Sequence, residues 1–148
     1  MSKGRLTGAL RAMLNQLCDN DMRKNEATKY DLEQRLIEFA VRIIDIAEAL
    51  PKTFVCKHLG GQLVRSGTSP ALNYAEAQAA ESKADFIHKM KICLKELRET
   101  KVCLEIIKRK GYFKAERLDP LLKENNELIS IFVKSVNTAK DNSTKGKE

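Results

Sequence analysis

The strongest constraint on this chain is one long apolar stripe at helical spacing. Phe86, Met90, Cys93, Leu97, Leu104 and Ile107 line one face of a helix expected over about 83–110, and Gly111 is well suited to end it. A stripe of that length has to be buried against other helices. Three more segments can supply them. Asp31, with Gln34 three residues on, caps a helix striped by Leu32, Leu36, Phe39, Ile43 and Leu50, and Pro51 stops it. Thr53 opens a segment that passes through Leu59 and Leu63 to Ser66. There Ser66-Gly67-Thr68-Ser69-Pro70 should interrupt it, so two helical pieces meeting at a kink or short break are expected, the second over 71–81. Asp119-Pro120 reads as N-cap and first residue of a last helix, with Leu122, Ile129, Phe132 and Val136 inward. Short connections make this an all-α, antiparallel up-and-down four-helix bundle over 31–139. Residues 1–30 read as a leader containing a short amphipathic helix over about 5–18 and a linker, and 140–148 as a disordered tail.

Composition narrows the function. The chain has 148 residues, 43% hydrophobic and 32% charged, which suits one globular domain. Seven Gly and three Pro are too few for a turn-rich β protein. Met1 to Thr7 carry charge with no apolar run after them, and no window approaches the ~20 apolar residues of a membrane span, so a cytoplasmic protein is expected. Cys18, Cys56, Cys93 and Cys103 form no C-x-x-C pair and read as reduced thiols, three of them buried. His58 and His88 have no second ligand near them in sequence. Asp85 stands three before His88, but a carboxylate-bridged di-metal site needs two E-x-x-H motifs facing inward, and His88 points away from the stripe. No G-x-S-x-G elbow and no phosphate-binding glycine loop is present, so no enzyme, metal or cofactor is expected.

Charge is distributed unequally. The net charge is +7, yet residues 31–50 hold two basic and five acidic residues while 83–111 hold nine basic and four acidic. Lys91, Lys95, Arg98 and Arg109 share one face of the long helix, opposite its stripe, and Lys108 and Lys110 extend the positive end. A patch of this kind meets phosphates in a salt-dependent way. Second apolar faces suggest subunit contacts: Ile37, Val41 and Ile44 on the first helix, and Ile92, Cys103 and Ile106 on the long one. Asn73, Glu76, Glu96 and Glu99 lie close to apolar stripes and are expected to hydrogen-bond across helices and fix register.

Several runs carry a family resemblance. Residues 62–70 read Q-L-V-R-S-G-T-S-P, with Arg65 and Ser66 at the centre, followed by N-Y-A-E-A from Asn73 through Glu76. Then come A-E-S-K-A-D-F-I-H-K over 80–89 and K-E-L-R-E-T over 95–100, with Glu96 and Glu99. Together these resemble the bacterial four-helix-bundle proteins encoded in intervening sequences of 23S ribosomal RNA genes, a family similar to the accessory variability protein of diversity-generating retroelements. The resemblance covers about 31–138. It implies a homopentameric ring of up-and-down bundles with no catalytic residues. It also implies binding to RNA or DNA or to a ribonucleoprotein or, in the retroelement relatives, an adaptor role with a reverse transcriptase. Two positions depart from the pattern: Cys103 replaces a common aromatic, and Ala77 stands where a shorter form has glycine.

Overall fold

Four helices account for nearly all of the chain described by the computed structural model, which covers residues 32–144. They are α1 over 32–49, α2 at Phe54–Gln78, α3 at Lys83–Lys110 and α4 at Ala115–Thr144. From Arg35 onward the chain is one compact unit. The leader expected over 1–30, with its helix over 5–18 and Cys18, lies outside the described residues.

The long helix forms where its stripe predicts. Ser82 accepts from the Asp85 N–H at its start, and Gly111 ends it in the left-handed region at φ +73°, which a side chain would strain. Thr53 caps α2 by accepting from the Cys56 N–H at 3.2 Å. Leu36, Phe39, Ile43 and Leu50 on α1 are buried, as are Met90, Cys93, Leu97, Leu104 and Ile107 on α3.

Pro51 follows the end of α1 as expected, but the expectations drawn from Pro70 and Pro120 need correction. α2 does not break at 66–70 but runs through Pro70 without interruption. The proline ring costs the donor that would bond the Ser66 carbonyl. The Cys93 thiol reaches the Pro70 carbonyl at 3.5 Å. α4 starts at Ala115, not after Asp119, and Pro120 sits in its second turn. There it removes one bond, to the carbonyl of the exposed Glu116. The earlier start lets Leu118 and Leu121 enter the core together with Leu128, while Ile129 is only half-buried. At the other end α4 continues to Thr144, into the segment expected to be a tail.

Each helix packs antiparallel on the next. Ile43 and Leu50 of α1 face Gly67 and Gly60 of α2. Ser66 and Thr100 join α2 to α3 inside the core, hydroxyl to hydroxyl at 3.0 Å. Lys108 holds Asp119 across α3 and α4 at 2.6 Å. Arg35 closes the circuit from α1 to α4 with a two-pronged pair to Glu124 at 2.9 and 3.0 Å and a further contact to Glu127 at 2.9 Å. In this order α1 and α3 lie diagonally, so their outer faces point to opposite sides. The α1–α2 and α3–α4 turns lie together at one end. The core holds one unusual polar residue: Asn125 on α4 is fully buried, and neither amide atom has a hydrogen-bond partner among the described residues.

Candidate nucleic-acid interface

The outer face of α3 gathers Lys91, Lys95, Arg98 and Arg109 within about 60° of arc, because these residues repeat at helical spacing. All four are exposed, as is Lys110. None of the five joins an ion pair among the described residues, whereas Lys89 and Lys108 on the same helix are held by Glu76 and Asp119 at 2.6 Å. Both paired lysines therefore have raised pKa values, from the hydrogen bond to the partner carboxylate first. Lys108, placed in the patch by sequence, is thus partly neutralised in place. The last-turn cluster Lys108, Arg109 and Lys110 also sits at the negative end of the helix dipole.

Apolar side chains interrupt this basic face. Val102 is 59% exposed and Ile106 43%. Of the residues expected to make a subunit contact, Ile37 and Val41 on α1 are exposed, and Ile44 and Ile92 are half-buried. Cys103 is the exception, since its side chain is buried inside the chain and its neighbour Val102 faces outward instead. One residue of helical phase, about 100°, separates the two, and the apolar character of both hid the difference. Glu38, Asp45 and Glu48 surround the α1 strip, giving it the opposite charge to the α3 face.

The motif residues make contacts within and between helices. Arg65 on α2 holds Glu96 at 3.1 Å and Glu99, both on α3, and also reaches Gln62. Glu96 is buried and Glu99 half-buried, so the guanidinium neutralises two carboxylates that would otherwise repel each other. Ser66 meets Thr100, and Glu76 meets Lys89, again across α2 and α3. Asn73 differs: it bonds the Ser69 carbonyl and hydroxyl within its own helix. The run Thr68, Ser69 and Asn73 thereby satisfies backbone and side chain around Pro70, with Thr68 bonding the Val64 carbonyl at 2.7 Å.

His58 and His88 are exposed, and no group of three metal-ligating side chains occurs among the described residues. Burial pushes the Cys93 thiol up to about 12 and raises Cys103 as well, so neither supplies a thiolate nucleophile near neutral pH. This has a measurable consequence. Above about pH 9 the unfolded chain loses the Cys93 proton while the folded chain keeps it. Stability therefore falls from there toward pH 12, by about 1.4 kcal/mol per pH unit for one such group. Urea unfolding of wild type and Cys93→Ala between pH 8 and 11 checks this: the alkaline slope should be shallower in the variant, and equal slopes would refute it.

No helix among the described residues is long and apolar enough to cross a membrane. Residues 28–134 match the model of the 23S rRNA-intervening sequence protein family. A crystal structure of a protein with unknown function from the S23 ribosomal protein family of Bacteroides thetaiotaomicron is similar. It is 35% identical, covers 71% of this chain and 97% of its own, and superposes with a TM-score of 0.66. Among curated proteins no relative matches.

Proposed function

This chain belongs to the 23S rRNA-intervening sequence protein family, and on that premise we propose that it is a non-enzymatic, oligomeric helical bundle whose basic surface binds RNA. The observation that carries this reading is the set of five exposed cations on α3, Lys91, Lys95, Arg98, Arg109 and Lys110, none neutralised by a carboxylate among the described residues. Neutralising RNA phosphates releases counterions, which drives binding at low salt. Five such contacts predict an affinity that falls about 100-fold between 50 and 200 mM salt, taking a slope of about −0.7 per contact for single strands. Fluorescence anisotropy with a labelled RNA at both salt concentrations tests this. The triple variant Lys91→Glu, Lys95→Glu, Arg98→Glu should lose most of the binding. Absence of binding at low salt, or binding indifferent to salt, rejects the reading.

The oligomer follows from the two outer faces. Ile37 and Val41 lie among acidic residues on α1, and Val102 and Ile106 among basic ones on α3. With these faces on opposite sides, one copy's α1 meets the next copy's α3 head to tail, and a rotation between successive copies closes such contacts into a ring. The family resemblance makes a homopentamer the ring of choice. Light scattering that finds a monomer at micromolar concentration would sink it. The same exposed Val102 and Ile106 favour a second reading, an adaptor whose protein partner brings an acidic surface with an apolar centre. A reverse transcriptase, as in the diversity-generating retroelements, is the partner that the resemblance suggests.

A further inference from the structure

The low aromatic content of the chain, 5%, hides where its aromatics are. Phe39 and Phe132 are buried in the core. Three others lie at the same end of the bundle. Phe54 opens α2 and is 89% exposed, the most open large apolar side chain among the described residues. Tyr112 and Phe113, half-buried, form the α3–α4 turn. The nearby Cys56 side chain, at the start of α2, raises the phenol pKa of Tyr112.

Cations crowd the same end. Residues 50–57 and 108–117 contain seven basic residues and one acidic, Glu116. The opposite turn, over 79–85, contains one basic and two acidic residues. The Lys110 ammonium lies 5.9 Å from the Tyr112 ring centre, and the Arg117 guanidinium 4.9 Å from that of Phe113. Arg117 is exposed and so offers its cationic guanidinium to a partner beside the Phe113 ring. Beside Phe54, a groove of about 810 Å³ runs along the start of α2, lined by Lys52, Lys57 and Arg65, by Glu48 of α1 and by Gly60-Gly61. Its size lies in the range of about 300–1,000 Å³ typical of small-molecule sites. A Cβ at Gly61 would meet nothing within 4 Å, so the groove is open at that point.

We propose that this end of the bundle is a stacking platform for unpaired bases, which makes single-stranded RNA the preferred form of the bound nucleic acid. The inference rests on the RNA-binding reading above and adds to it. Bases of a duplex are stacked on each other and cannot lie on a protein ring, whereas unpaired bases stack readily on aromatic side chains and on guanidinium planes. Phe54 takes one base beside the groove, and the Arg117–Phe113 stack takes another. Lys52, Lys57 and Lys110 meet the intervening phosphates. Charge complementarity selects the occupant: even with Lys108 held by Asp119 and with Glu48 beside the groove, cations outnumber carboxylates at this end, so a strongly acidic polymer suits it and a neutral or basic peptide does not.

The chain contains no Trp, which gives a direct probe. In Phe54→Trp the new indole should be quenched when a short oligoadenylate binds, with affinity kept. Phe54→Ala, a change on an 89% exposed side chain, should weaken oligoadenylate binding about tenfold. It should leave affinity for an RNA duplex of the same length within about twofold. Unchanged oligoadenylate affinity in Phe54→Ala overturns the platform and leaves the α3 reading standing. So does an unquenched indole in a Phe54→Trp chain that still binds in a salt-dependent way. A Phe54→Ala chain that loses its assembly but not its RNA affinity also overturns it, by making Phe54 a subunit contact. Failure of wild type to bind either RNA at low salt defeats both.

Discussion

Phe132→Ala lowers the stability of the bundle by about 3–5 kcal/mol, the range for emptying a fully buried aromatic site. Phe132 on α4 has no exposed surface. Its ring meets Tyr74 of α2 edge to face, with centroids 6.1 Å apart and planes at 82°. That contact crosses the core diagonally, between helices that do not follow one another in the chain. Loss of the ring therefore removes transfer energy, an aromatic pair and the packing of a junction between helix layers. Equilibrium urea unfolding measures it, and a loss below about 1 kcal/mol would show that the site collapses and is not a rigid junction. Phe54→Ala is the natural contrast. It removes the same side chain from an 89% exposed position and should change stability by less than about 0.5 kcal/mol. The two variants separate a phenylalanine that holds the fold from one available to a partner.

How far the fold can be read from sequence depends on whether local and tertiary preferences agree. At α3 they agree: stripe and terminal glycine both place the helix at 83–110, and the structure does the same. At Pro70 and Pro120 they conflict. A proline inside a helix costs about 3 kcal/mol locally, and local reasoning stops the helix there. In the bundle, α2 beyond Pro70 buries Tyr74 and Ala77, and the first turns of α4 bury Leu118 and Leu121. Those contacts outweigh the lost bond, and nothing within a few residues of either proline announces them. The site follows the same rule. The basic face of α3 is legible because helical phase fixes it. The pairing of Lys108 with Asp119 and the placement of Phe54 at the same end as Tyr112 and Phe113 are not, because they depend on how the folded bundle arranges its turns. Arg65, Glu96 and Glu99 are legible as interfacial groups, while their arrangement as one arginine between two carboxylates requires the α2–α3 register.

Gly67→Ala should destabilise the protein by about 1–3 kcal/mol, although alanine is the better helix former by about 1 kcal/mol. A Cβ built at this position lies 2.6 Å from Ile43 Cγ2, 2.8 Å from Cγ1 and 3.1 Å from Cβ. Ile43 is fully buried and branched at Cβ, so it has no rotamer into which to retreat. α1 and α2 must move apart, which loosens the contact that seats α1 on the bundle. Gly61, six residues earlier on the same helix, has open space at its Cβ. Gly61→Ala should therefore gain up to about 1 kcal/mol, so helix propensity and steric overlap act with opposite sign at two glycines of one helix. A double-mutant cycle identifies the cause. In an Ile43→Ala background the two nearest clashing atoms are gone, and Gly67→Ala should cost little or become favourable, giving a coupling of about 1–3 kcal/mol between the positions. Additive losses in that cycle would mean that Gly67 serves the backbone around Pro70 and not the approach of α1. Coupled losses would make the close approach of Ile43 to Gly67 the reason that this helix carries a glycine three residues before its proline.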